Sequence, residues 1–199
     1  SFGEQALNHA MIRAKLTELS SIYLANFYMT WHAVKVLDKA DNGDEKAAQL
    51  LRLLTPMLKK TAAEAGVYVI RESMELMGGL GYIEDGIMPK LMRDTMVLPI
   101  WEGAGNIMVL DMLRASLKSE GLQEEIKKIL DITNKITVLD KETLELTFKF
   151  LFERLSKLYQ IALLEQYKDQ ENNIWIQPAI DFLVCQLQKQ DLVIATPLN

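Results

Sequence analysis

One carboxylate in this chain, Glu102, stands beside two flexible glycines immediately before an apolar stretch rich in helix formers. It lies in residues 99–106 (PIWEGAGN), and residues 107–114 (IMVLDMLR) follow. The first turn of a helix has unpaired N–H groups and a partial positive charge, which favour an anion at this position. A carboxylate held there could act as a base. The alternative is structural, with Glu102 capping the helix and Trp101 filling the core.

The 199 residues are 49% hydrophobic and 25% charged, a balance typical of one or two small globular domains. No apolar run approaches the roughly 20 residues that span a bilayer, and residues 1–5 lack the layout of a signal peptide. We therefore expect a soluble, cytoplasmic protein. The net charge is −5, with 12 basic and 14 acidic residues through Ala115 and 10 and 13 from Ser116 onward. Neither half has the basic excess of a nucleic-acid-binding protein, so nucleic acid is not an expected partner.

The two histidines and the single cysteine are His9, His32 and Cys185. They are too scattered along the chain to predict a metal site. Cys185 has no partner for an internal disulfide, and its apolar neighbours Leu183 and Val184 predict a buried thiol.

Hydrophobic periodicity predicts helices along almost all of the chain. Residues 9–39 have apolar positions at three- and four-residue steps with neither glycine nor proline, which is typical of a helix of about eight turns. Asp44 is placed to cap a second helix over residues 45–77, in which Pro56 removes one backbone donor and predicts a kink. A short helix at residues 89–95 and the helix after the PIWEGAGN run complete a compact bundle.

Closely spaced glycines in residues 78–81 (GGLG) predict the end of the second helix. A dinucleotide-binding fingerprint is the alternative for this run. It is excluded because the run follows a predicted helix rather than a strand, and because Glu84 occupies the third glycine position.

Three further amphipathic patterns, at residues 122–136, 141–167 and 177–190, predict helices packed on or beside the first bundle. Aromatic residues such as Phe148 and Phe152 recur at helical spacing in the middle pattern. That spacing favours core packing over a ligand-binding box.

Residues 75–82 (ELMGGLGY), 90–94 (KLMRD) and 99–103 (PIWEG), in this order and spacing, resemble the C-terminal helical domain of the acyl-CoA dehydrogenase family. Two earlier stretches, residues 2–16 and the LLTP run within the second helix, are similar to the opening and the second helix of that domain. Each motif alone is weak, but together they are specific.

The resemblance covers residues 1–118 and implies an all-α, up-down four-helix bundle, with residues 119–199 as a C-terminal helical extension. The family also has an N-terminal helical domain and a middle β-domain, so we expect this chain to be a fragment of a longer flavoprotein. The isolated chain is then expected to show neither turnover nor tight FAD binding. The family's bundle forms the centre of a dimer of dimers, which implies a homodimer or homotetramer here.

The resemblance also implies a reaction: α,β-dehydrogenation of an acyl-CoA thioester, with a hydride passing to FAD and electrons then to an electron-transfer acceptor. Glu102 falls at the position of the base that removes the α proton, and such a base needs a water-poor site that raises its pKa. Gly103 leaves room for the substrate. Arg114 matches a position near the coenzyme A nucleotide, with a charge at a helix C-terminus as the alternative.

Three groups of residues match family positions that contact FAD. The group at the adenine end consists of Glu75, Leu76, Met77, Gly78 and Gly79. The group beside the ribityl and phosphate region consists of Ala104, Gly105 and Asn106. The group that reaches the flavin of a neighbouring subunit consists of Ser1, Phe2, His9 and Ala10. For His9, a residue that merely starts a helix is the alternative.

Three residues depart from the family's common pattern. Ala104 and Asn106 stand where fatty-acyl members have a hydroxyl residue and a glutamine, and Glu75 replaces a common glutamine. The WEGAGN pattern with a helical extension is closer to the alkylation-response relatives, which bind FAD and, through the extension, DNA. The alternative function is therefore a flavin-binding interaction protein of that type with DNA as a partner, although the charge balance disfavours DNA binding.

Overall fold

The structure of this chain is a computed structural model that describes residues 3–118, 141–168 and 173–195. Within those ranges the elements are a 3-10 turn at Ala6–Asn8 and seven α-helices, so the predicted all-α fold class is confirmed. In chain order the helices are α1 (Ala10–Asp41), α2 (Glu45–Met77), α3 (Gly79–Tyr82), α4 (Met88–Met96), α5 (Gly105–Ser116), α6 (Lys141–Lys168) and α7 (Ile176–Ala195). None of them is long and apolar enough to cross a membrane.

Helices α1 and α2 form a long antiparallel hairpin around a tight turn. Gly43 in the turn has a φ of +91°, in the left-handed region that glycine adopts readily. Asp44 then caps α2, since its carboxylate accepts hydrogen bonds of 3.0 Å from two backbone N–H groups of the first turn. At the far end of the hairpin, the ammonium of Lys15 on α1 lies 2.8 Å from the carboxylate of Glu72 on α2.

The second helix continues through the buried Pro56 as one element and ends in the GGLG run. Gly78 has a φ of +61° and terminates the helix. A Cβ at Gly81 would lie 2.8 Å from the Cα of Met74, so only glycine allows α3 to fold back onto the last turns of α2. The run therefore ends one helix and packs the next against it.

A hydrophobic core joins helices from both halves of the chain. Its buried members come from α1, α2, α5 and α6: Met29, Val36, Ala47, Leu54, Met57, Val109, Met112, Leu113, Phe148, Leu151, Phe152 and Leu163. A second cluster packs α7 onto α1 and α6: Ala25, Tyr28, Leu164, Ile176, Ala179, Ile180 and Leu183. The packing role expected of Phe148 and Phe152 is confirmed. The helix expected at 122–136 lies outside the described residues, and the division into domains 1–118 and 119–199 stays a prediction.

The thiol of Cys185 is exposed, so the prediction of a buried thiol is wrong. The buried face of α7 includes Ile180, Leu183 and Leu187. Cys185 follows Leu183 by two residues, which is about 200° around a helix, and it therefore lies on the opposite side. Apolar neighbours in sequence do not indicate burial when the helix turns them to different faces.

Two phenylalanines of α6 provide a matched test of the shared core. Phe152 is 0% exposed and Phe150 is 66% exposed. We expect Phe152→Ala to lower the free energy of unfolding by about 3–5 kcal/mol, because it removes a buried ring and leaves a cavity. Phe150→Ala should change it by less than about 0.5 kcal/mol. Chemical denaturation of both variants measures the difference, and equal effects would contradict the core described here.

An ion pair joins α5 to α2 and gives a pH-dependent prediction. Arg52 donates two hydrogen bonds of 2.6 Å to the carboxylate of Asp111. These bonds hold the pKa of Asp111 below its usual value. Because the pKa is lowered in the folded state, the stabilisation is present above the pKa of an unfolded aspartate and is lost as the pH falls through the folded-state value.

We therefore expect Asp111→Asn to lower the free energy of unfolding by up to about 1 kcal/mol at pH 7, since the pair is partly exposed. The difference from the parent chain should shrink below about pH 4, where unfolded aspartates become protonated. Urea denaturation at a series of pH values measures this. The control is Asp94→Asn, which breaks an exposed pair with Lys90 inside α4. A loss for Asp111→Asn that stays constant down to pH 2 would refute the explanation.

Candidate active site

The candidate base, Glu102, lies in the turn that connects α4 to α5, with its side chain exposed. Its φ is +51°, and among the described residues other than glycine it alone has a positive φ. The left-handed conformation costs an L-residue about 1 kcal/mol or more. Gly103 follows with a φ of +114°. The backbone thus turns sharply through a glutamate and a glycine directly before the helix.

The structural alternative for this segment is wrong in both of its parts. Helix α5 begins at Gly105, its N-cap is Ala104, and neither a side-chain cap nor an acidic residue lies in its first turn. Glu102 therefore does not cap the helix. Trp101 is 51% exposed and does not fill the core. The carboxylate of Glu102 is held at the surface beside the helix start without a capping role.

Contacts from α2 hold both ends of the turn. The ammonium of Lys59 donates a hydrogen bond to the backbone carbonyl of Leu98, before Glu102. After Glu102, the backbone of Gly105 packs on α2 so closely that a Cβ there would lie 3.0 Å from Oε1 of Glu64 and 3.5 Å from Cε of Lys60. The position of the turn is therefore set by one face of α2.

Beside Gly103, the side chain of Met108 occupies the space that a larger residue would need. A Cβ on Gly103 would lie 3.1 Å from the Met108 sulfur, and the positive φ would strain any L-residue there in addition. Met108 thus fills the space beside Gly103, and both this packing and the positive φ require glycine at the position after Glu102.

Several of the residues predicted to contact FAD lie at the end of the hairpin where α1 begins and α2 ends. His9 is the N-cap residue of α1, followed by Ala10, and the segment from Glu75 to Gly79 forms the last turn of α2 and the start of α3. Glu75 lies 2.9 Å from Arg71. The carboxylate that replaces the family's glutamine is thus balanced by a cation of its own helix.

The other predicted FAD contacts, Ala104, Gly105 and Asn106, lie at the start of α5, which packs on a different part of α2. Gly105 packs against Lys60 and Glu64, and Glu64 precedes Glu75 by eleven residues, which corresponds to about 16 Å along a helix. The structure therefore separates the predicted residues into a group at the hairpin end and a group beside Glu102. Ser1 and Phe2 lie outside the described residues.

Arg114 lies in the last turn of α5, and its side chain is exposed. Its positive charge helps to lower the pKa of Asp111, after the larger effect of the hydrogen bonds from Arg52. Arg114 and Arg52 thus both lie near one carboxylate at the end of α5 away from Glu102. A position at a helix C-terminus suits a cation whether or not it contacts a ligand.

One feature of the site was missed by the sequence analysis: the ion pair between Lys60 and Glu64, 2.7 Å apart beneath the start of α5. The spacing of the two residues, one helical turn apart, is a visible signal for a pair on a helix. Such pairs are usually on the surface, whereas Lys60 is only 9% exposed. Among the described residues, no group of three or more His, Cys, Asp or Glu side chains could hold a metal ion.

Comparisons with known sequences agree on one family. The family described as "Acyl-CoA dehydrogenase, C-terminal domain" matches residues 1–117. Over 86 residues the chain is 42% identical to acyl-CoA dehydrogenase family member 11 of Caenorhabditis elegans, covering 43% of this chain and 14% of that protein. Over 123 residues it is 32% identical to the putative acyl-CoA dehydrogenase AidB of Escherichia coli, covering 62% of this chain and 22% of that protein.

Comparison with solved structures supports the same fold. The crystal structure of Caenorhabditis elegans ACDH-11 in complex with C11-CoA superposes with a TM-score of 0.75 at 23% identity, covering 92% of this chain and 37% of that one. An acyl-CoA dehydrogenase complexed with FAD from Bacillus anthracis superposes with a TM-score of 0.70 at 13% identity, covering 99% of this chain and 45% of that one. This chain thus spans less than half the length of these proteins. With the family match over residues 1–117, it belongs to the acyl-CoA dehydrogenase family and carries that family's C-terminal domain.

Proposed function

We propose that this chain is part of an FAD-dependent acyl-CoA dehydrogenase in which Glu102 removes the α proton of an acyl-CoA thioester. The observation that carries the proposal is the backbone of Glu102. Its left-handed φ of +51° is costly, and the side chain serves no cap that would explain the cost. Strained residues of this kind are concentrated at functional sites, where the surrounding structure holds them in place.

In the proposed reaction, the carboxylate of Glu102 accepts the α proton while the backbone N–H of Glu102 donates a hydrogen bond to the thioester oxygen. Gly103, which has no side chain of its own, is proposed to let the substrate approach this N–H. FAD, when bound, supplies the chemistry that takes the hydride from the β carbon. Glu102 is exposed in this chain, so the water-poor surroundings that raise a base's pKa would come from substrate and from other segments of the intact protein.

The residues assigned to FAD have surroundings that fit the group. A Cβ added at Gly78 or Gly79 would meet nothing within 4 Å, so the backbone there is open to a ligand such as the adenine end of FAD. At the start of α5, Ala104, Gly105 and Asn106 carry no side-chain cap, which leaves helix N–H groups for the ribityl and phosphate region. The pairing of Glu75 with Arg71 would reduce the repulsion between the Glu75 carboxylate and the phosphates of FAD.

We propose an acyl-CoA as the substrate, as in the complex of ACDH-11 with C11-CoA, with Arg114 binding a phosphate of the coenzyme A nucleotide. His9 and Ala10, at the end of the hairpin, are proposed to reach the flavin of a second subunit in a homodimer or homotetramer. An electron-transfer acceptor then reoxidises the flavin of the intact enzyme.

Replacing the base tests the proposed function. In the intact protein that contains this chain, Glu102→Gln should lower the rate constant of flavin reduction by acyl-CoA by about 100- to 10,000-fold, because the amide cannot accept the α proton. Anaerobic mixing with a panel of acyl-CoAs, followed by the loss of flavin absorbance, measures this rate. Glu165→Gln, an exposed acid of α6, serves as the control. Full reduction by the Glu102→Gln variant would refute the assignment.

The strain at Glu102 gives a second prediction that does not depend on activity. Glu102→Val should be less stable than Glu102→Gly by about 1–2 kcal/mol, because a β-branched residue is disfavoured at positive φ while glycine adopts it freely. At Glu165, inside α6, the order should reverse, with glycine the less stable variant by a few tenths of a kcal/mol. Denaturation of the four variants measures both differences. The same order at both positions would show that Glu102 is not strained.

A further inference from the structure

The turn that carries Glu102 rests on two consecutive lysines of α2. Lys59 binds the carbonyl of Leu98 at the start of the turn, and Lys60 lies under Gly105 at its end. Of these two contacts, only that of Lys60 is made with the residues directly after Glu102. Lys60 is therefore the cation whose position bears most closely on the carboxylate of Glu102.

Lys60 is an unusual residue for such a contact because its charge is buried. The side chain is 9% exposed, and its ammonium lies 5.8 Å from the centre of the Phe152 ring on α6. Burying a charge is unfavourable unless a partner compensates it. Glu64, at 2.7 Å, is that partner, and it is half exposed. The pair thus joins a buried ammonium, which lies over a ring of α6, to a carboxylate that is half exposed.

Gly105 packs directly on this pair. A Cβ on Gly105 would be 3.0 Å from Oε1 of Glu64 and 3.7 Å from Cγ of Lys60, so the backbone already lies at contact distance from both side chains. Because only Gly103 and Ala104 separate Gly105 from Glu102, a displacement of the pair moves the backbone that sets the direction of the carboxylate.

We propose that Lys60 and Glu64 form a positioning pair that fixes the backbone of residues 102–105 and thereby orients the carboxylate of Glu102. The proposal rests on the proposed function of Glu102 as a base. The pair itself acts on Glu102 only through Gly105. Loss of the Lys60–Glu64 pair should therefore lower the rate constant of proton removal more than it weakens the binding of acyl-CoA.

The test uses Lys60→Met, which keeps an unbranched side chain of similar volume without the charge and leaves only the half-exposed Glu64 without a partner. Lys60→Arg is the conservative variant, and Lys90→Met removes a lysine from a similar i,i+4 pair on α4 as the matched control. Hydrogen exchange is measured on this chain for the amides of Ile107 and Met108, which donate to the backbone carbonyl of Ala104. The rate constant of flavin reduction and the dissociation constant of acyl-CoA are measured on the intact protein.

For Lys60→Met we expect amide exchange at Ile107 and Met108 to rise about tenfold, because their hydrogen bonds to Ala104 depend on the position of the turn. Flavin reduction should fall about tenfold with the acyl-CoA dissociation constant changed by less than about twofold. Lys60→Arg should restore most of the protection from amide exchange and most of the rate of flavin reduction. Lys90→Met should change neither quantity.

Two results would overturn the inference: unchanged exchange in a folded Lys60→Met variant, or a loss confined to acyl-CoA binding. Failure of the proposed function has a different signature, because Glu102→Gln would then reduce its flavin normally while the effect of Lys60→Met on amide exchange persisted. In that case the pair still positions the turn, but the turn does not carry the base.

Discussion

The packing of the other helices against α2 is the constraint on which the rest of the structure depends. This helix has 33 residues, which corresponds to about 50 Å, and it contacts α1, α3, α4, α5 and α6. Two glycines allow close approaches on the side of the Glu102 turn: Gly66, where a Cβ would lie 3.1 Å from Cγ2 of Thr95 on α4, and Gly105, which brings the start of α5 onto α2. The elements before and after the Glu102 turn are therefore both placed by the same helix.

This arrangement explains how a strained glutamate persists in a short turn. A left-handed Glu102 is stable only if the backbone on either side cannot relax. Lys59 restrains the segment before it, and the contact of Gly105 with Lys60 and Glu64 restrains the segment after it. The turn contributes little apolar burial of its own, since Trp101 is half exposed. Its geometry comes from α2 rather than from its own side chains.

The helices were largely predictable from sequence because their ends are specified locally. The cap at Asp44 and the glycine at Gly78 bound α2 at the predicted residues 45 and 77. Side-chain environment was less predictable, because it depends on contacts distant in sequence. From the local pattern, the core was the alternative position for Trp101 and a buried thiol was predicted for Cys185. Both side chains are exposed. For the site, the sequence pointed to Glu102 as a candidate base, but it did not show the left-handed backbone of Glu102 or the packing of Gly105 on Lys60.

The shared core gives the C-terminal helices a physical connection to the candidate base. The ring of Phe152 on α6 lies 5.8 Å from the ammonium of Lys60. On the same helix, burial lowers the pKa of Lys157 and the charge of Lys60 adds to this, while Glu153 opposes it. By excluding water from the ammonium of Lys60, α6 lowers the local dielectric constant and strengthens the attraction to Glu64. A stronger pair is a firmer support for Gly105. Helix α6 therefore bears on the position of the Glu102 turn in two ways, through the buried Lys60 of α2 and through its core packing against α5.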